Sequence, residues 1–359
     1  MKNKKRIYVI AEVGINHNGS LDNCYRLIDA ACAAGSDCVK FQFFKAGELY
    51  PKSAGKLNRK SPKGKYSYDI YKAAEAIEMP DCWIEKLIAY CRRKKIDFLS
   101  SIFGLRGVDY LISKGMQAIK LPSYSITNLP LVEHCARFKV PIILSTGGAT
   151  LGEIEAAVKT INKYHTKLSL LHCSIKYPTE LGECNLAVIK TLKQAFTNCK
   201  TGYSDHTKEV SKAPVQAAYL GAEIIEKHIT LNKKMKGPDH FFALEPKELK
   251  KMVWAIRKAE AVLKNGSVKI NKKLYGFSEK VVFKHEQSLR DFCFATIFAG
   301  RDIKKGERIE DIDLRLLRPG KNKRGLEPEY MNLFKKYTIR AAKNIAAEEE
   351  IGWEKIFNA

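Results

Sequence analysis

Eight short apolar runs, each about the length of one strand and each stopping on a side chain with chemistry, constrain this chain more than any other feature. They begin near residues 7, 38, 97, 118, 141, 168, 200 and 223. The first, within IYVIAEVGINHNG (Ile7 to Gly19), carries the carboxylate Glu12. VKFQ carries Lys40, FLSS ends at Ser101, AIKLPS carries Lys120 and Ser123, and IILSTGG carries Ser145 before a Gly147-Gly148 turn. LSLLHCS, GYSDHT and EKHIT follow, the last two supplying His206 and His228. A (β/α)8 barrel gathers its chemistry at the carboxyl ends of eight parallel strands, so this order predicts that fold.

The intervening segments carry the helical period. Leu21, Cys24, Ile28 and Ala31 share one face, as do Trp83, Leu87 and Tyr90. Thr150 followed three residues later by Glu153 is a capping-box signature at the start of the helix that bears Ile154, Ala157, Val158 and Ile161. The chain has 359 residues, more than the roughly 250 of one barrel, which leaves room for a second small domain. We expect the barrel over 1–264, a linker over 265–287 and a tail domain over 288–359. The tail repeats itself: Arg301 to Leu314 aligns with Lys343 to Ile356, matching isoleucines at 303 and 345 and at 309 and 351, while Gly306 becomes Glu348. Duplication at this size predicts a pseudo-symmetric, β-rich unit.

No apolar run approaches the roughly 20 residues of a membrane span. The basic, then apolar, start runs directly into Glu12 and Asn16, so we read a buried first strand and a cytoplasmic protein with no membrane partner. Ten cysteines without a regular framework fit reduced thiols. The net charge is +24, with 15 basic and 13 acidic residues from Glu286 onward, so nearly all the excess lies in the barrel portion. That excess is spread through segments read as helical (Lys56, Lys60, Lys63, Lys65; Arg92 to Lys95; Lys247, Lys250, Lys251) without interleaved aromatics. A basic surface favouring anionic substrates, not nucleic acid, is the expectation.

The ordered set AEVGINHNG, VKFQ, IKLPS, LSTGG, HCSIKYPT, GYSDHT, EKHIT, GPDH and RPG resembles the N-acetylneuraminate (sialic acid) synthase family, whose barrel is followed by an antifreeze-like (SAF) domain. The resemblance implies condensation of phosphoenolpyruvate with an N-acylated amino sugar, N-acetylmannosamine or a related hexosamine, to a nonulosonic acid and phosphate, with a divalent metal, Mn²⁺ or Mg²⁺. His206 and His228, at neighbouring strand ends, are the expected metal ligands, supported by Asp205 and Glu226 beside them; His17 is close enough to the first strand end to face the site as well. By resemblance Lys40, Ser101, Lys120, Ser123, Ser145, Tyr177 and Ser204 bind phosphoenolpyruvate, and Glu12 handles the water or proton movements. Ser125, Asp239 and Arg318 fall on the sugar side. The resemblance also implies a domain-swapped homodimer in which Arg318 reaches the partner's barrel.

Departures bear on the sugar. Ser125 stands where the sialic acid branch has Glu, Ile175 where Asn or Ser is usual, and Phe43 where Thr is frequent. Lys321, Lys323 and Arg324 add charge after RPG. Together they suggest a different amino sugar or reduced activity. Two other functions stay open: a related synthase acting on a non-acylated aldose phosphate, and a non-catalytic carbohydrate-binding homologue.

Overall fold

Eight parallel strands close into a barrel in a computed structural model that describes residues 6–61, 64–265 and 268–357. They are β1 (Tyr8–Gly14), β2 (Cys38–Phe43), β3 (Asp97–Ile102), β4 (Ile119–Leu121), β5 (Ile142–Ser145), β6 (Leu168–His172), β7 (Lys200–Asp205) and β8 (Ile224–His228). Each starts within one residue of the place its apolar run predicted. β1 closes the ring by pairing with both β2 and β8, and Glu12 sits in register with Lys40 on one side and His228 on the other.

The helices form where the period placed them. Leu21–Ala34 starts at Ser20, whose hydroxyl accepts the Asn23 N–H, and stops at Gly35, held at φ +82° where a Cβ would be strained. It buries Cys24, Leu27, Ile28 and Ala31 against the barrel. Leu151–Asn162 has both halves of the Thr150–Glu153 capping box. The segment carrying Lys56, Lys60 and Lys65 is not helical: Lys56–Ser61 and Gly64–Asp69 form an antiparallel hairpin in the long β2–β3 connection. Its polar alternation is too short to separate from loop by pattern alone; Lys63 lies outside the described residues. No described helix is long and apolar enough to cross a membrane.

After the last barrel helix, Pro246–Asn265, the chain wraps its own barrel. Backbone bonds run from Leu186 and Ala187 to the carbonyls of Leu274 and Tyr275. Phe294 packs in the barrel core, while the tail has its own, built around Ile297, Ile303, Ile309, Ile345 and Ile351. The repeat is a structural one: Ile303 and Ile345 exchange two backbone hydrogen bonds, of 2.8 and 2.9 Å. The equivalent Gly306 and Glu348 both have positive φ, +82° and +62°.

The tail docks on the loop after β2 of the same chain. Arg318 N–H donates to Leu49 O and Lys321 N–H to Ala54 O, both at 2.8 Å, and Lys52 N–H donates to Glu348 Oε2 at 2.7 Å. Gly320, at φ +65°, allows the approach, because a Cβ there would lie 2.7 Å from Ala54 O. Arg318 therefore closes the mouth of its own barrel. This is the arrangement within one chain; the domain-swapped homodimer in which Arg318 reaches the partner's barrel stays what the resemblance implies for two chains.

Behind the mouth, Lys227 and Asp205 form a fully buried ion pair of 2.7 Å between β8 and β7, and Asp205 also accepts the Thr207 N–H at 2.8 Å. Asp205 thus points away from His206 and is not its supporting carboxylate. Removing one partner strands the other charge in the interior, so Asp205→Ala should lower stability by about 3–5 kcal/mol. Urea denaturation of the variant against the parent measures it; a loss within ~0.5 kcal/mol, the range of a neutral surface change, would contradict this role.

Candidate active site

Side chains alternate along a strand, so β8 presents Glu226 and His228 to the barrel interior while Lys227 faces outward. The same alternation brings Lys40 and Gln42 from β2, Glu12 from β1, Ser101 from β3, Lys120 from β4, Ser145 from β5 and Ser204 from β7 to one cavity of about 100 Å³. Ser123, Tyr177, His206 and Arg318 complete its wall, with Phe103, Tyr124 and Cys173. Ten of the residues singled out from sequence meet there with Arg318; Ser125 and Asp239 are not among those lining it.

The centre is an alternating array of charges. Lys40 Nζ lies 2.6 Å from Glu12 and 3.6 Å from Glu226, and also donates to Ser101 Oγ at 2.9 Å. Lys120 Nζ donates to Ser145 Oγ at 2.7 Å and lies 3.9 Å from Glu226. Ser204 donates to Glu226 at 2.9 Å, and Gln42 to Glu12 at 3.2 Å. Burial pushes the Glu12 carboxyl up; Lys40 opposes and Glu226 reinforces, leaving it at about 7. For Glu226 burial is outweighed by Lys120 and Lys40, which hold its carboxyl below the usual range. Burial lowers Lys120, whereas Glu12 and Glu226 overcome burial and raise Lys40.

Glu226 is the functional residue that sequence reasoning undervalued, treating it only as a companion of His228. The signal was present: E-K-H on a terminal strand puts the two outer residues on one face. Gln42 follows from Lys40 in the same way.

His206 and His228 approach with ring centroids 5.7 Å apart. His206 Nδ1 donates to Ser174 O at 2.6 Å, which fixes the proton there and leaves Nε2 as the lone-pair nitrogen, 3.4 Å from Ser204 Oγ. Burial lowers its pKa to about 4 and that of His228 further below the usual range, so both rings are neutral at pH 7. His228 Nδ1 is buried without a hydrogen-bond partner, with Asp239 at 3.9 Å. Among the described residues no cluster of three or more His, Cys, Asp or Glu side chains is close enough to hold an ion by itself. A metal here would rest on two imidazoles and take its remaining ligands from substrate and water, which the orphaned nitrogen and the open Nε2 fit. Tyr177 stacks on His206 with centroids 4.1 Å apart.

Ser123 Oγ accepts the Gly147 N–H at 3.0 Å, tying the fourth strand end to the turn after the fifth. His17 instead packs edge-on against Trp83 and does not line the cavity. Ser125 lies one step away, in a smaller adjoining cavity with Glu48, Asn128 and Arg318. The other departures are packing features. Ile175 is fully buried beneath Gly147 and Gly148, where a Cβ on Gly148 would meet it at 2.7 Å. Phe43 stacks outward on Tyr110, and Arg324 donates to the Arg290, Asp291 and Phe294 carbonyls. Neither Ile175 nor Phe43 removes a polar group from the cavity.

Comparison with known proteins agrees with this geometry. The NeuB family matches residues 27–268. The chain is 41% identical to the spore coat polysaccharide biosynthesis protein SpsE of Bacillus subtilis, covering 98% of this chain and 93% of that protein. It is 37% identical to an N,N'-diacetyllegionaminic acid synthase of Legionella pneumophila, covering 97% and 94% respectively. The crystal structure of the Bacillus subtilis protein superposes with a TM-score of 0.88 at 39% identity, over 99% of this chain and 97% of that one. With a barrel, a site and relatives that agree over nearly its whole length, the chain belongs to the NeuB family.

Proposed function

We propose that this chain condenses phosphoenolpyruvate with an N-acylated amino sugar, giving a nonulosonic acid and phosphate. The observation that carries the proposal is the pair of buried lysines, Lys40 and Lys120, converging with Ser101, Ser145 and Ser204 on one cavity at the strand ends. Ammonium and hydroxyl donors of this kind suit a phosphate and a carboxylate, and relatives named as N,N'-diacetyllegionaminic acid and pseudaminic acid synthases support a nonulosonic acid as the product. Its reaction is placed in the cytoplasm, which suits ten cysteines that are all free thiols.

In this scheme Lys40, Lys120 and the hydroxyls hold the phosphate and carboxylate of phosphoenolpyruvate, with C3 directed to the sugar aldehyde. Carbon–carbon bond formation turns the aldehyde oxygen into an alkoxide, which takes up a proton, and leaves C2 cationic; water adds to C2 as Glu12 takes its proton, and C2–O cleavage releases phosphate while the remaining hydroxyl proton leaves with it and the ketone forms. Tyr177 bounds the imidazole side and Arg318 the outer, sugar side, with Asp239 beside His228. We assign His206 and His228 to a divalent ion, Mn²⁺ or Mg²⁺, which when bound polarises the aldehyde oxygen.

Phosphate release measured with phosphoenolpyruvate, Mn²⁺ and a panel of amino sugars tests the function. Release should require an N-acylated sugar, stop with chelator and return with Mn²⁺. Folded protein that releases no phosphate with any sugar, or that ignores the chelator, would refute the reading.

Replacing Lys40 or Lys120 with Met removes charge-assisted bonds of about 1.5–3 kcal/mol, so the KM for phosphoenolpyruvate should rise roughly ten- to a hundredfold. A raised sugar KM with an unchanged phosphoenolpyruvate KM would reverse the assignment.

Glu12 acts as a base only when ionised, and its carboxyl titrates near 7. The kcat/KM should therefore climb from pH 6 to 8 on an acid limb near 7, and Glu12→Gln should remove that limb along with most of the rate. A limb that persists unchanged in the variant assigns the titration elsewhere.

A further inference from the structure

One peptide group connects the linker to the catalytic histidine. His206 Nδ1–H donates to the carbonyl of Ser174 at 2.6 Å, and the N–H on the other side of that same peptide bond, from Ile175, donates to Glu286 Oε1 at 3.0 Å. Glu286 comes from the linker, is 1% exposed, and has its other oxygen held by the Phe283 N–H at 3.3 Å. The line of atoms is thus carboxylate, amide, imidazole, all of it in the interior.

A hydrogen bond to a carboxylate polarises the amide that makes it, and in a low-dielectric interior bonds in a chain strengthen one another. Glu286 makes Ser174 O a stronger acceptor than an isolated carbonyl, which secures the proton on Nδ1 and increases the electron density at Nε2. Carboxylates that bond directly to a ligand histidine do the same over one contact. Here the same effect passes through a peptide unit, and the carboxylate belongs to the segment that leads into the tail. Arg290, one helical turn on at the start of the tail, donates to Gly148 O and pairs with Glu153, and Lys280 of the linker donates to Ala149 O, so both segments also grip the turn after β5.

We propose that Glu286 is a positioning residue that sets the tautomer and donor strength of His206 through the Ser174–Ile175 peptide. The proposal rests on His206 being a metal ligand only in its second consequence, metal affinity; the first, the tautomer, holds with or without an ion.

Both are measured on the full chain. Long-range ¹H–¹⁵N spectra of the metal-free protein should show His206 protonated at Nδ1 in the parent and in Glu286→Gln, whose carbonyl still accepts from Ile175, and a mixture of tautomers in Glu286→Ala. Titration with Mn²⁺ alone should weaken about tenfold in Glu286→Ala, the lower end of the effect of a direct histidine partner, and less in Glu286→Gln. Lys284→Ala, an exposed linker change beside them, should alter neither. An Nδ1–H tautomer and Mn²⁺ affinity unchanged in Glu286→Ala overturn the proposal. If Glu286→Ala does not fold, Mn²⁺ affinity in Glu286→Gln decides: equal to the parent, it overturns the proposal as well. If the parent binds no Mn²⁺, the metal assignment fails while the tautomer comparison still tests the relay.

Discussion

Two ammonium groups and two carboxylates share the cavity at the carboxyl ends of this barrel's strands, and most of what surrounds them follows from that fact. Alone, any one of these charges would be costly to bury; alternated as Glu12, Lys40, Glu226 and Lys120, they offset one another. The serines of β3, β5 and β7 satisfy what the ion pairs leave over. The array is close to neutral before any ligand arrives. Lys40 is committed to Glu12 at 2.6 Å, whereas Lys120 reaches Glu226 only at 3.9 Å, so the second lysine is the less committed of the two.

Much of this was legible in the sequence because a barrel turns order along the chain into order around a ring. The eight apolar runs fixed strand positions to within a residue, and polar groups at their ends had to converge. Glu226 needed one more step, the two-residue period that aligns it with His228. Distant loops obey no such period. The hairpin over Lys56–Ser61 and Gly64–Asp69 was invisible for that reason, and Ile175 looked like a missing polar group although its side chain is tucked under a glycine turn. Asp205 was misassigned because adjacency in sequence does not decide which face of a strand a carboxylate occupies; its partner, Lys227, is on the next strand.

The tail, built on its own core, lies against the barrel mouth. Arg318 lies over the rings of Tyr124, Phe103 and Tyr50, with its charge 4.9, 5.2 and 5.7 Å from their centroids. Three aromatic faces hold a guanidinium in place without neutralising it. The arginine is thereby kept at the outer cavity wall, and among the described residues no carboxylate pairs with it.

A duplicated domain has a difficulty that unique folds lack: its two halves share a backbone plan, and either could seat on the barrel. At one corner the first half keeps Gly306, with open space where a Cβ would be, and the second places Glu348 in the same left-handed backbone conformation. That glutamate takes the strain of positive φ and reaches across to the Lys52 N–H. Its equivalent has no side chain to reach with. This difference between the two halves therefore distinguishes the seated arrangement from one turned by half a rotation.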